Sequence, residues 1–202
     1  MFRKTQPWIY TALILLAGCA SYEASTLSLL SSDAAISSPK NDNVLISWKA
    51  FDKQDCEKYL DRNVIAEGYI PVQLTIRNNS TDPMYLNPSN FNVPVSSPNE
   101  VADKVHTSTG GRVAAWGVGG LVFFPLFIPA VVDGFKSANA NTALDADYTA
   151  KALKEQTIQP HSVFNGVVFI PKEHASETIE MFLVNQKTNE KVVFSEIPLS
   201  VR

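Results

Sequence analysis

The chain has 202 residues, 45% of them hydrophobic and 18% charged, with a formal net charge of −3. That length allows one domain with a real core plus an elaboration, or two small domains. The charge balance excludes an electrostatic nucleic-acid binder and a polybasic membrane binder, both of which need clustered Lys and Arg.

At the N-terminus Arg3 and Lys4 precede a mostly apolar, uncharged run from Trp8 to Leu16. This is a positive n-region followed by an h-region too short to span a bilayer, the layout of a secretory signal. Small residues at Ala17 and Gly18 then lead into Cys19. The tetrapeptide Leu16-Ala17-Gly18-Cys19 resembles the lipobox of bacterial lipoproteins. The resemblance implies that residues 1–18 are a lipoprotein signal peptide, that cleavage falls before Cys19, and that its thiol takes a diacylglycerol. It also implies acylation of the new amine, with palmitate-type chains holding the protein to the cell envelope, since durable anchoring takes more than one chain. Ala20 follows Cys19. Lipoproteins with Asp at that position resemble those retained in the inner membrane, so Ala20 favours the outer membrane of a diderm cell.

Cleavage would leave 184 residues and remove Arg3 and Lys4, taking the formal charge to −5. Only Cys56 would then keep a free thiol, so no internal disulfide can form and the fold must rest on hydrophobic burial. Residues 19–42 read as the lipidated N-terminus and a flexible tether, rich in Ser, Ala, Asp and Asn. A tether of this length reaches on the order of 25–30 Å root-mean-square. Cys56 lies in a polar stretch in which Cys56, Tyr59 and Leu60 share a helical face, which favours a small buried apolar residue over a reactive thiol.

From Val44 the pattern is one of strands. Val44–Phe51 is β-rich, with Ile46 and Trp48 on one side and Ser47 and Lys49 on the other. Pro71–Arg77 alternates cleanly: Val72, Leu74 and Ile76 point in, while Gln73, Thr75 and Arg77 point out. Asn78-Asn79-Ser80-Thr81-Asp82-Pro83 supplies a turn. Met84–Leu86 and Phe91–Val95 read as shorter strands, the second limited to an edge by Pro94. Val163–Ile170, Thr178–Val184 and Val192–Leu199 complete about seven strands, the count of a β-sandwich. No Cys…Trp…Cys arrangement is present, which excludes an antibody-type domain. The strand ending in Asn-Asn-Ser, the Pro-led segment and the later Gly166-Val-Val-Phe169 strand resemble Ig-like domains of bacterial envelope lipoproteins. The expectation is therefore a mainly β, Ig-like antiparallel sandwich from residues 43–96 and 157–202.

Residues 97–156 have another character and read as a helical insertion. Ser97-Pro98-Asn99-Glu100 forms a capping box that starts a helix. An uncharged apolar run covers 113–132 between Arg112 and Asp133. Twenty residues of helix would be about 30 Å long, enough to cross a hydrocarbon core. Gly117, Gly119 and Gly120, with Pro125 and Pro129, argue instead for two short pieces joined near Phe124-Pro125, a hairpin or kinked element. Gly111, Ala115 and Gly119 recur at intervals of four and give a small-residue packing face. Beyond Asp133-Gly134 an amphipathic helix carries Tyr148 and Ala152 inward and ends before Gln159-Pro160.

Nothing in the sequence has the pattern of an active site. His106, His161 and His174 fall at no metal-binding spacing, and no HExxH or Gly-x-Ser-x-Gly motif occurs. Gly117-Val118-Gly119-Gly120 lacks the Lys-Ser/Thr ending of a phosphate loop. Asp133, Asp145 and Asp147 fit no EF-hand. The expectation is a lipid-anchored binding or assembly module without cofactor, metal or catalytic residues, whose partners are the membrane and an envelope protein or a second copy. Two alternatives are a component embedded or self-associated through residues 111–135, and an apolar-ligand binder.

Overall fold

A computed structural model describes residues 21–33, 35–38, 41–106 and 127–199, with side chains throughout except at 41–42 and 127–137. Alternating apolar residues produce eight strands in two antiparallel sheets. The first has the order β1 (Ile36–Ser38), β2 (Asn41–Ala50), β3 (Tyr69–Asn78), β6 (Ser162–Pro171). The second has the order β5 (Gln156–Ile158), β4 (Met84–Leu86), β7 (Thr178–Asn185), β8 (Lys191–Pro198). The neighbours β3–β6 and β4–β7 are distant in sequence, which is the Greek-key connection of an Ig-type sandwich.

The inward residues of both sheets make one core. Val44, Ile46, Val72, Leu74, Ile76, Val168 and Ile170 from the first sheet meet Met84, Leu86, Ile179, Met181, Leu183, Phe194 and Ile197 from the second. Asn78, fully buried at the end of β3, ties the sheets together. Its Nδ2 donates to the carbonyls of Asp82 (2.8 Å), Ile158 (3.1 Å) and Gln159 (3.1 Å), while its Oδ1 accepts from the Ser80 N–H and hydroxyl. The Asn-rich turn is thus also a side-chain bridge from β3 to β5.

One expected strand is absent and two strands form where none was expected. Phe91–Val95 is no strand: Phe91 makes a single bridge to Met181, and Asn92 closes the site by exchanging bonds with Glu180. Pro94 has no N–H with which to extend the ladder. β1 and β5, each three residues long, were too short to show a period.

Three α-helices are described, α1 (Lys53–Leu60), α2 (Pro98–Val105) and α3 (Phe127–Lys151). Asp52 caps α1, its carboxylate accepting from Asp55 N–H at 2.7 Å while Asp55 accepts from Asp52 N–H. α2 starts as its sequence predicts, with the Glu100 N–H donating to Ser97 Oγ at 3.2 Å. The Glu100 carboxylate is directed elsewhere: it accepts from Tyr69 OH at 2.9 Å and from Ser96 Oγ at 3.2 Å. α3 includes Phe127–Val132 of the apolar run and continues through Gly134, so the amphipathic helix expected beyond Asp133-Gly134 begins before it. Pro129 sits in the first turn of α3, where its missing N–H would have had no partner.

Contacts divide the chain into two compact units, residues 1–22 with 106–143 and residues 23–105 with 144–202. The second unit therefore holds the sandwich together with α2 and the last two turns of α3, which the composition assigned to the insertion.

Candidate functional site

The outer face of the first sheet carries the densest side-chain chemistry of the second unit, and it is covered in two ways. Toward the β3 N-terminus the cover is apolar. Phe51, Cys56, Leu60, Val64, Leu144, Tyr148 and Phe169 are all buried there, outside the main core. Tyr148 stacks on Phe169 with ring centroids 5.7 Å apart and planes 7° from parallel, and its OH donates to the Leu60 carbonyl at 3.3 Å. Burial pushes the Tyr148 phenol well above its ordinary range. Lys151 Nζ, close to fully buried, is held by Asp147 Oδ2 at 2.5 Å and the Tyr59 carbonyl at 2.7 Å. Gly166 permits the close approach of α3, because a Cβ there would lie 3.0 Å from the Lys151 carbonyl.

Toward the β3 C-terminus the cover is polar and comes from the chain's own N-terminal segment. Residues 25–31 lie as an extended strap over β3 and its two neighbours. Ser25 N–H donates to the Lys58 carbonyl at 2.8 Å. Asn165 Nδ2 then donates to the Leu27 carbonyl (3.2 Å) and Gln73 Nε2 to the Ser28 carbonyl (2.7 Å). Leu30 N–H donates to Thr75 Oγ1 (3.1 Å), and its carbonyl accepts from Arg77 Nη2 (2.6 Å). Ser47 Oγ donates to the Ser31 carbonyl at 2.8 Å. Beneath the strap these groups order one another. Asn165 Oδ1 accepts from Thr75 Oγ1 (2.8 Å) and Gln73 Nε2 (2.9 Å), and Arg77 Nη1 approaches Ser47 Oγ at 3.4 Å. The Tyr59 phenol beside the strap is held below its usual range, first by Lys58 and then by the Ser28 hydroxyl.

Gln73, Thr75 and Ser47 are 2%, 0% and 3% exposed, yet every bond they send to the strap ends on its main chain. The strap's side chains contribute less: Ser28 and Ser31 are exposed and Leu29 is 56% exposed. Asn165 also lines a groove of about 510 Å³ beside the strap, with Lys154, Gln156, Ile158, Ser162 and Val163. The arrangement binds an extended polypeptide backbone and has little means of selecting its sequence.

The residues singled out from the sequence fall elsewhere. Cys19, Gly111, Ala115, Gly119 and Pro125 lie outside the described residues, and of Pro129 only the backbone is described. The flexible tether expected over 19–42 does not extend through 25–31, which are hydrogen-bonded to the sheet, nor through β1. Cys56 is fully buried, and burial first, then the Asp55 carboxylate, pushes its thiol up to about 12 against a backbone bond from Ile65. His161 takes a positive φ of 55° in the turn after Pro160, and His174 lies 3.5 Å from Glu173. Asp147 is committed to Lys151. Among the described residues no group of three His, Cys, Asp or Glu side chains is placed to hold a metal ion. No described helix is long and apolar enough to cross a membrane.

Ser47, Gln73, Thr75 and Arg77 read in the sequence only as outward positions, and Asn165 only as a break in β6. The available signal was that these outward positions carry donors of several kinds, with no ion-pair pattern among them. No protein-family model matches the chain, and searches of curated proteins and of solved structures found no match either.

Proposed function

We propose that the protein is a lipid-anchored envelope module that acts by binding or assembly and carries no catalytic site. The observation that carries the anchor is the Leu16-Ala17-Gly18-Cys19 tetrapeptide after a short apolar leader. The strap supports the same reading from the other side. A lipid on Cys19 would stand six residues from Ser25, where the chain is already bonded to the body. Six residues reach at most about 20 Å, so the module would ride close to the lipid headgroups. Ala20 favours the outer membrane. The binding half of the reading is supported by a sheet face whose amide, hydroxyl and guanidinium groups converge on main-chain atoms rather than on one another's charges.

Detergent phase partition of the full chain made in a bacterial host is the test. The wild type should enter the detergent phase and carry the mass of a diacylglycerol and an acyl chain, while Cys19→Ala should be aqueous and unmodified. A wild-type chain without lipid mass would overturn the anchor. The uncharged run at 113–132 favours a second reading, membrane embedding or self-association through residues 111–135. Carbonate extraction of Cys19→Ala separates the two: retention in the pellet supports embedding, and release excludes it.

A further inference from the structure

We infer that the polar outer face of the first sheet is a binding site for extended polypeptide in trans, occupied in this structure by the chain's own residues 25–31. The inference rests on the reading of the protein as a binding module and is independent of its lipid.

Three observations converge. Five side chains from three strands, Ser47, Gln73, Thr75, Arg77 and Asn165, contact five main-chain atoms between Leu27 and Ser31. Any peptide in the same conformation presents those atoms, so beyond its covalent connection the strap's advantage over a competitor is confined to the Ser28 hydroxyl on Tyr59 and the half-buried Leu27 and Leu30. Secondly, what lies under the strap is polar. Undocking hands amides, hydroxyls and a guanidinium to water and uncovers strap apolar surface only at the half-buried Leu27 and Leu30, so the hydrophobic penalty on leaving is small. Net gains from such hydrogen bonds are of the same order as the entropy lost in ordering the residues that make them, which keeps docked and free states close in energy. The third observation is the groove beside the strap. Asn165 belongs to both, and Val163, 47% exposed, lies on its wall. The groove gives a bound segment open space beside the strap at Asn165.

The partner is thus an unfolded or extended segment of another polypeptide, recognised through its backbone and with little regard to its side chains. The strap acts as a tethered competitor that sets the affinity at which such a segment is admitted.

The experiment uses the full chain and a fluorescein-labelled peptide copying residues 24–32, read by anisotropy. Leu30→Pro removes the N–H accepted by Thr75 and weakens the strap alone. Its affinity for the peptide should exceed that of the wild type by about tenfold or more, since the competent fraction rises. A shuffled peptide of the same composition should bind within about threefold of the copy, and a peptide N-methylated at the residue matching Leu30 should bind at least about tenfold more weakly. Adding Gln73→Ala and Asn165→Ala to Leu30→Pro should abolish the gain. Amide exchange in β3 and β6 checks that the sandwich is intact in each variant. The inference is overturned if Leu30→Pro frees the strap amides to exchange and still binds no peptide. It is equally overturned if binding persists undiminished without Gln73 and Asn165. Either failure leaves the lipid on Cys19 as a separate question, because phase partition reads that alone.

Discussion

The two covers on one sheet face differ in what holds them. At one end α1 and the last turns of α3 bury Cys56, Leu60, Leu144, Tyr148 and Phe169. At the other, an extended strap is held by hydrogen bonds to its main chain; its serines and Leu29 are exposed, and Leu27 and Leu30 are half-buried. Apolar burial scales with area and is lost only by opening the fold, whereas hydrogen bonds exchanged with water leave a small net gain. One sheet therefore carries a permanent cover and a removable one.

The sharpest way to break the comparison is at the permanent end. Phe169→Ala deletes a fully buried ring stacked on Tyr148 and should cost about 3–5 kcal/mol in urea unfolding. Gly166→Ala should cost about 1–3 kcal/mol, because the new Cβ meets the Phe164 ring at 2.6 Å and the Lys151 carbonyl at 3.0 Å. A loss near zero in either would mean that this cover is also loosely held.

The pH dependence of stability sharpens the same contrast. The folded state keeps the Cys56 proton up to about 12, while an unfolded thiol loses it near its ordinary value of 9.0. Between those limits the unfolded chain binds fewer protons, so stability falls as pH rises from about 9 toward 12. Urea unfolding under reducing conditions should show a steeper alkaline decline in the wild type than in Cys56→Ala. Tyr148, raised in the same direction, supplies the slope that remains.

The smallest global effect belongs to the strap. Thr75→Val removes its bonds to Leu30 N–H and to Asn165 Oδ1, which keeps its bond from Gln73, with little change of shape and should cost about 1–2 kcal/mol of overall stability. Its local effect should be larger, with exchange at the Leu30 amide about tenfold faster or more. Equal acceleration across β3 would show that the strap and sandwich open as one.

The same contrast explains what was legible beforehand. β3 and β7 could be read directly, because half-buried strands leave a period of two in their own residues. The capping of α2 was visible at Ser97, but Glu100, expected to complete the box, bonds instead to the distant Tyr69 and to Ser96. The Phe91–Val95 stretch carried strand-forming residues, and the lack of a donor at Pro94 decided against them. The strap left no trace in Leu27–Ser31, since its recognition falls on main-chain atoms that every residue possesses. Its sequence is Ser-rich and unpatterned, which describes a linker equally well. The recognising groups were in plain view at 47, 73, 75, 77 and 165, but nothing local says that side chains so far apart in the chain aim at one backbone.

The strap also gives the molecule a mechanical property. If Cys19 carries the proposed lipid, tension on the body would reach the bonds at 25–31 before it reaches β1. Their release would free the chain between Ser25 and Ala35, about 35 Å at full extension, before the first strand is loaded. A pull within that range would lift the module away from the membrane and leave its core under no strain.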